Sequence, residues 1–570
     1  MSESLGRLCI VLHAHLPHVL HHGDSPHGET WLYEAAAETY LPLLDLIGEV
    51  ALHKCRPALT IGLTPILLEQ LTHPRFKQGF VMYLGERAAR AERDRAEFES
   101  RGEKHFAYLA QRWENWYQRQ GAHFDRIGQD IPGAFAARSR EEHIQILAGP
   151  ATHPYLPLLL HDEMIAAQIR IGLACGRRIL GDAVSSGVWL PECAYRPGVS
   201  NRTPPVLDGP ARPRTGLETL IAGAGLTHFC VDSQLVVGGE PLGTMKGERF
   251  APVGEAQLHW DGHRGWRDPL EPVGVVSEPG PPRCFALPRH PCISEQVWSG
   301  TIGYPGAGPY LDFHRKQSDG GLRYHKVTDL STPIGDKQPY APEDIHSKVY
   351  EHTQHFCRLV TESLQSHLAQ TGKPGVCVAA FDAELFGHWW FEGPGFLRDV
   401  IFTLAHQGKV TLATTEEALR DSPPDRVVRL PEGSWGEHGN HSVWLNDQTR
   451  WMWEIEHRAE NRLMKLLKEL PWRTDTAVRQ MLVRGARELL LLQASDWPFV
   501  VHSKGAVDYG IQRFSGHATR FDRATAIAAK VARGEAMSRL DCVQIAEMDA
   551  HDSVFGDLDL EAFVGTTDAC

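Results

Sequence analysis

The sequence has no long apolar run. Nowhere in its 570 residues is there a stretch near the roughly 20 apolar residues that cross a bilayer. It also lacks an excess of base. Lys and Arg number 58 against 71 Asp and Glu, a net charge of −13. That balance argues against nucleic acid and anionic membrane as partners, because phosphate binding needs basic faces. It suits a neutral substrate that needs no steering. The eleven cysteines stand singly, with no CxxC pair and no framework spacing. They read as reduced thiols of a cytoplasmic protein. The apolar run in MSESLGRLCIVLHAHLPH is too short and too broken by histidine for a secretory signal. No internal repeat is present. What remains is 42% hydrophobic and 23% charged, an ordinary globular chain long enough for a large core.

Strand and helix patterns alternate along the first two thirds. CIVLHAHL (Cys9 to Leu16), the start of ALTIGLTPILLEQL (ending at Leu71), IQILAG (Ile144 to Gly149) and SGVWLPE (Ser186 to Glu192) read as strands. LETLIAGAGLTHFCVD is a further helix and strand. SEQVWS and GVCVAAFDAE read as later strands. Alternation of this kind argues for a parallel sheet. Glu86 to about Ile127 is rich in Ala, Glu and Arg and predicts long surface helices. Pro197 to Pro291 turns Pro/Gly-rich and loop-like. After about Val410 the pattern becomes helical, and the tail beyond Asp549 is expected to be loosely held.

Three constellations carry chemistry. His13 and His15 alternate on a strand and therefore share a face. They could bind substrate, ligate metal or pack in a core. His18, His21 and His22 follow at spacings that match no ligand pattern. Glu192 ends one apolar strand and Asp382 another, where parallel barrels place their chemistry. Two such carboxylates meeting across a barrel mouth would serve glycoside hydrolysis. A retaining enzyme holds them about 5–5.5 Å apart, one as nucleophile and one as acid. The aromatics Phe381, Phe386, Trp389, Trp390 and Phe391 supply apolar surroundings that raise an acid's pKa. Trp298, Trp435 and Trp444 lie in Gly-rich polar stretches and could stack on sugar faces.

HAHLPH, TIGLTPILLEQL, ATHPYLPLL, GVWLPECAYRP, QVWSGTIGYPG, FDAELFGHWWFEGP, LPEGSWGEHGNHSVWLN and LLLLQASDWPF occur in that order. Together they resemble glycoside hydrolase family 57, and more narrowly its 1,4-α-glucan branching enzymes. The resemblance covers about residues 5–520. It implies an α/β fold, an incomplete (β/α)7 TIM-like barrel over residues 1–410. A helical insertion is expected at about 76–140 and a loop-rich excursion at about 197–291. A helical C-terminal domain over 411–570 would contribute to the glucan cleft. The resemblance also implies a retaining mechanism with no cofactor and no metal. By motif position Glu192 is the nucleophile and Asp382 the acid/base. His13, His15 and His153 would surround the sugar at the cleavage point. Arg289, Trp298, Gly306, Trp435, Trp444 and Asp496 would be further glucan contacts.

The implied partner is an α-glucan such as amylose or glycogen. A monomer in the cytoplasm is expected. One departure stands out. Related branching enzymes carry a tyrosine in a mobile loop after the VD strand, and here Met245 stands near that place. No tyrosine occurs between Arg196 and Gly303. Transfer to a glucan hydroxyl therefore competes with transfer to water. The alternatives are a 4-α-glucanotransferase or α-amylase-type hydrolase, a metal-dependent hydrolase or deacetylase, and a glycan-binding protein without catalysis.

Overall fold

Segments apolar on both faces suit the middle of a parallel sheet, where helices cover each side. Seven strands form it: β1 (Gly6–Ala14), β2 (Leu59–Leu63), β3 (Ile144–Ala148), β4 (Val184–Val188), β5 (His228–Asp232), β6 (Cys284–Arg289) and β7 (Gly375–Asp382), with the Ser-rich β4 the least apolar. The computed structural model describes residues 4–24, 27–253, 268–317 and 321–564. The strands pair in chain order, all parallel, and β7 returns to β1 in a register running from Gly6 with Gly375 to His13 with Asp382. The ring closes through a single β6–β7 pairing, Arg289 with Val378. The result is the expected seven-stranded, incomplete TIM-like barrel. Cys9, Val11, Leu147, Trp189, Cys193, Cys230, Leu287 and Val378 fill its interior, so the thiols act there as small apolar packing groups.

Beside the weak seam, the lower edge of β6 pairs with Val273–Val275. Arg426–Arg429 adds to it in parallel, and the antiparallel hairpin Glu240–Lys246/Arg249–Pro252 extends this mixed flap. Helices Pro74–Ser100 and Lys104–Arg126 pack on each other as the insertion after β2. Five helices from Arg450 to His551 form the C-terminal region. None of the described helices is long and apolar enough to cross a membrane.

Three expectations need correction. SEQVWS lies in a helix, Pro291–Trp298, not a strand. Pro291 at its start, the His290 side-chain cap and the buried pair Ile293 and Val297 follow helical spacing, which a period-two reading misses. Residues after 410 are not helical at once, because Val410–Leu412 and Arg426–Arg429 join the sheet. The tail as far as residue 564 is not loose. Asp552, Phe555, Leu560 and Phe563 are buried, and aromatic area outweighs chain-end entropy there. The first part of the loop-like stretch from Gly254 to Pro291, residues 254–267, lies outside the described residues.

Candidate active site

Each barrel strand delivers a polar side chain to its carboxyl end. β1 supplies His13 and, just beyond, His15. β2 leads to Thr64, β3 to His153, β4 to Glu192, β5 to Asp232, β6 to Arg289 and β7 to Asp382. Three residues at these ends have left-handed backbones: His153 (φ 57°), Glu192 (φ 60°) and Cys193 (φ 46°). Non-glycine residues pay of order 1–3 kcal/mol for strained geometry of this kind, which persists where the surroundings hold it.

Two elements clamp that strain at Glu192. Its carbonyl accepts the Trp435 backbone N–H at 3.0 Å. Its carboxyl Oε2 accepts the Trp435 indole N–H at 2.8 Å, and Oε1 accepts the Ser495 hydroxyl at 2.9 Å. Ser495 arrives from the C-terminal region, whose segment bridges Pro154 through Ala494 and donates the Ser495 N–H to the His153 carbonyl at 3.0 Å. The Ser495 hydroxyl also sits 2.9 Å from His153 Nδ1.

Histidines line the floor. His13 Nε2 lies 2.9 Å from His153 Nε2, and the His13 ring stacks on Trp189 at 4.5 Å between centroids. The His15 ring stacks on His153 at 4.0 Å. His15 Nε2 meets Asp496 Oδ2 at 2.9 Å, and its Nδ1 meets Thr64 at 3.0 Å. Burial, reinforced by the other imidazoles, lowers the His13 and His153 pKa values well below the ordinary range, so both rings stay neutral. HxH thus places two imidazoles on one face, as alternation requires.

The two carboxylates differ in their surroundings. Burial raises the Glu192 pKa, and the Trp435 and Ser495 hydrogen bonds oppose the rise. Asp382 is pushed up much further, by burial first and then by the charges of Glu384 and Glu192. Glu384 is itself raised by burial. It accepts the Tyr40 hydroxyl at 2.6 Å and the His15 backbone N–H at 3.1 Å. Arg289 binds Asp232 at 2.9 Å, and its guanidinium lies 5.2 Å from the centre of the Trp435 ring. Such an arrangement holds a proton more firmly on Asp382 than on Glu192, the order that acid-assisted displacement needs.

His13, His15, His153, Glu192, Arg289, Asp382, Trp435 and Asp496 are therefore brought together. Trp298 stands at the rim beside Trp389, edge to face at 6.0 Å, with 47% and 39% of their surfaces exposed. Gly306 lies on the wall of a neighbouring groove of about 660 Å³. Two assignments do not hold. Trp444 is no surface platform: only 1% is exposed, and it stacks on Tyr155 at 4.4 Å inside the C-terminal core. Met245 is not over the site. Its strand is paired on both sides, and its N–H donates to the carbonyl of Asp425, whose side chain binds Lys373 just before β7 begins. That is the amino end of the barrel, roughly 20 Å along β7 from Asp382.

Sequence reasoning missed Ser495, Thr64 and Tyr40. Only Ser495 carried a signal, as the neighbour of Asp496 in QASDW. The ligand atoms of His15, His153 and Asp496 lie within 4.8 Å of one another, close enough for a metal ion, as do those of His18, His22 and Asp552. In the first group the same atoms are engaged in the hydrogen bonds above.

Two family profiles match. "Glycosyl hydrolase family 57" covers residues 9–258, and "1,4-alpha-glucan branching enzyme, C-terminal" covers residues 456–563. A 1,4-alpha-glucan branching enzyme of Thermococcus kodakarensis is 33% identical over 550 residues, which span 96% of this chain and 77% of that protein. A probable 1,4-alpha-glucan branching enzyme of Mycobacterium tuberculosis is 32% identical over 541 residues, 90% of this chain and 91% of that one. The crystal structure of a GH57-type branching enzyme from Pyrococcus horikoshii superposes with a TM-score of 0.87 at 31% identity, covering 99% of this chain and 98% of that one. With relatives of more than 30% identity aligned over nearly its whole length, the chain belongs to glycosyl hydrolase family 57.

Proposed function

We propose that this protein is a 1,4-α-glucan branching enzyme, acting as a retaining transglycosylase. The observation that carries the reading is the pair Glu192 and Asp382. They stand at the carboxyl ends of β4 and β7, close enough for one charge to raise the other's pKa, and the rise is greater at Asp382. Glu192 attacks C1 of an internal α-1,4-linked glucose. The C1–O4 bond breaks, and the Asp382 proton goes to O4 of the departing chain. A glycosyl ester on Glu192 remains. Asp382, now a carboxylate, takes the proton of an acceptor 6-hydroxyl as that oxygen attacks C1. An α-1,6 branch forms and Glu192 is released.

His13, His15 and His153 bind the sugar at the cleavage point in this reading. Arg289, Trp435 and Asp496 hold its neighbours, while Trp298 and Gly306 guide the chain outside. The barrel supplies the catalytic unit, and the helical C-terminal region completes the cleft through Ser495 and Asp496. A monomer in a reducing cytoplasm fits the ten described cysteines, all free.

The position of Met245 favours a second product. With this residue at the far end of the barrel and no tyrosine between Arg196 and Gly303 in its stead, water reaches the glycosyl ester more easily than in enzymes with a covering tyrosine. Hydrolysis of the glucan is expected beside branching. Purified protein on amylose should yield α-1,6 linkages, counted by proton NMR, together with new reducing ends. Reducing ends without branches would leave a hydrolase; neither product would refute both readings. Glu192→Gln should abolish both products and spare amylose binding.

A further inference from the structure

Glu192 is joined to two histidines through one hydroxyl. Ser495 Oγ lies 2.9 Å from Glu192 Oε1 and 2.9 Å from His153 Nδ1. His153 Nε2 lies 2.9 Å from His13 Nε2. The row ends at His13 Nδ1, a buried atom with no hydrogen-bond partner among the described residues. It faces Gly62, where a Cβ would stand 3.1 Å away.

A serine hydroxyl carries one proton, and a neutral imidazole carries one proton on one nitrogen. Those two counts leave the row only two polarities. If Glu192 is a carboxylate, it can only accept, so the Ser495 proton points at Oε1. Ser495 Oγ must then accept from His153 Nδ1–H. His153 Nε2 is left bare and accepts from His13 Nε2–H, leaving His13 Nδ1 bare. If Glu192 carries a proton on Oε1, every member reverses. Ser495 then donates to His153 Nδ1, His153 Nε2–H donates to His13 Nε2, and His13 Nδ1 holds a proton in a pocket that offers it no acceptor. At the other oxygen, the Trp435 indole N–H is a donor only and cannot reverse.

We propose that Ser495 is a positioning residue that ties the ionised form of Glu192 to one tautomer pair, His153 protonated on Nδ1 and His13 on Nε2. The inference rests on Glu192 being the nucleophile. It goes beyond that assignment by giving His153 and His13 a task other than touching sugar: they set which way the hydroxyl points. Without the Ser495 donor, Oε1 loses a hydrogen bond that favours the charged form, and the charge of nearby Asp496 opposes ionisation further. The other groups within electrostatic reach are His15, Asp382, the Cys193 thiol and the Tyr155 hydroxyl.

Two measurements on the full chain test it. In the first, histidine is labelled with ¹⁵N, and the His153 and His13 signals are assigned by their loss in His153→Gln and His13→Gln. At neutral pH His153 should show a protonated Nδ1 and His13 a protonated Nε2. The opposite pair, or an imidazolium at either position, overturns the proposal. In the second, kcat/KM on amylose is followed against pH. Ser495→Ala should lower kcat at least tenfold with KM little changed, and should move the acid limb to higher pH. Ser495→Thr should restore both. A uniform loss at every pH, with the limb unmoved and the melting temperature intact, would mean the serine only packs, and would sink the idea. Glu192→Gln separates the two levels. Turnover surviving in that variant would refute the assigned nucleophile, while the wild-type tautomers would still be read from the spectrum.

Discussion

Asp382 is costly to the fold that carries it. Burial beside Glu384 and Glu192 raises its pKa well above the ordinary carboxyl value. The folded state thus binds a proton that the unfolded chain releases as pH rises past about 4. The cost is absent in acid and grows with pH until the folded carboxyl ionises. Asp382→Asn should therefore melt at the wild-type temperature in acid and at a higher temperature at pH 8, while losing all turnover. Scanning calorimetry across pH checks this, and an equal shift at both pH values would contradict it. The two tryptophans of the 435–444 stretch should separate as well. Trp435→Ala removes a donor from Glu192 and should lower kcat by tenfold or more with little loss of stability. Trp444→Ala opens a cavity against Tyr155 and should cost about 3–5 kcal/mol of stability by denaturant titration. Sequence alone could not separate them, because both stand in the same Gly- and His-rich run. What differs is depth, which only the C-terminal core defines.

Among the elements, the loops after β6 and β7 set how the site meets a long chain. Trp298 ends the helix after β6, and Trp389 lies in the loop after β7, so their exposed rings meet where the segments after these two strands come together. Stacking on an aromatic ring is worth about 0.5–1.5 kcal/mol, or roughly two- to tenfold in affinity. Trp298→Ala and Trp389→Ala should each raise KM for amylose by that factor and leave the melting temperature unchanged. These elements also show what the sequence discloses. Both strand-end carboxylates were legible because a buried parallel strand is an unbroken apolar run with a polar stop. The helix Pro291–Trp298 was not legible as one, since eight residues hold little more than two turns of period. The flap that carries Met245 was hidden for another reason: its strands are three to seven residues long and pair with partners up to about 190 positions away, beyond the reach of local pattern.

Across the whole molecule, the C-terminal tail docks on the loop after β1. Asp552 accepts from His22 at 2.8 Å and lies 3.3 Å from His18, while Arg520 binds both Asp552 and Glu488. His517 meets Glu488 at 2.8 Å, and Arg513 donates to the His18 carbonyl. Two of the histidines without a ligand pattern in the sequence, His18 and His22, are thus part of a buried joint. Removing one partner from such a network costs about 3–5 kcal/mol, so Asp552→Ala should lower stability by that much. Burial depresses the His22 pKa to about 3, although Asp552 acts against it. The unfolded chain protonates this residue near pH 6.5. The stability of the joint is therefore complete above pH 6.5 and is lost as pH falls from there toward 3. Hydrogen exchange should report opening of residues 539–563 in mild acid before the barrel strands exchange; simultaneous exchange would contradict an independent joint.

The hydroxyl that steadies Glu192 belongs to residue 495, while the histidine at the other end of its row is residue 13. During synthesis the barrel strands leave the ribosome long before Ser495 and Asp496 are made, and domains generally fold as they emerge. A growing chain can thus hold both carboxylates for many seconds without the clamp that orders them. Until residue 495 has been made and docked, Glu192 lacks one of its two side-chain hydrogen bonds, so full turnover waits on the C-terminal region.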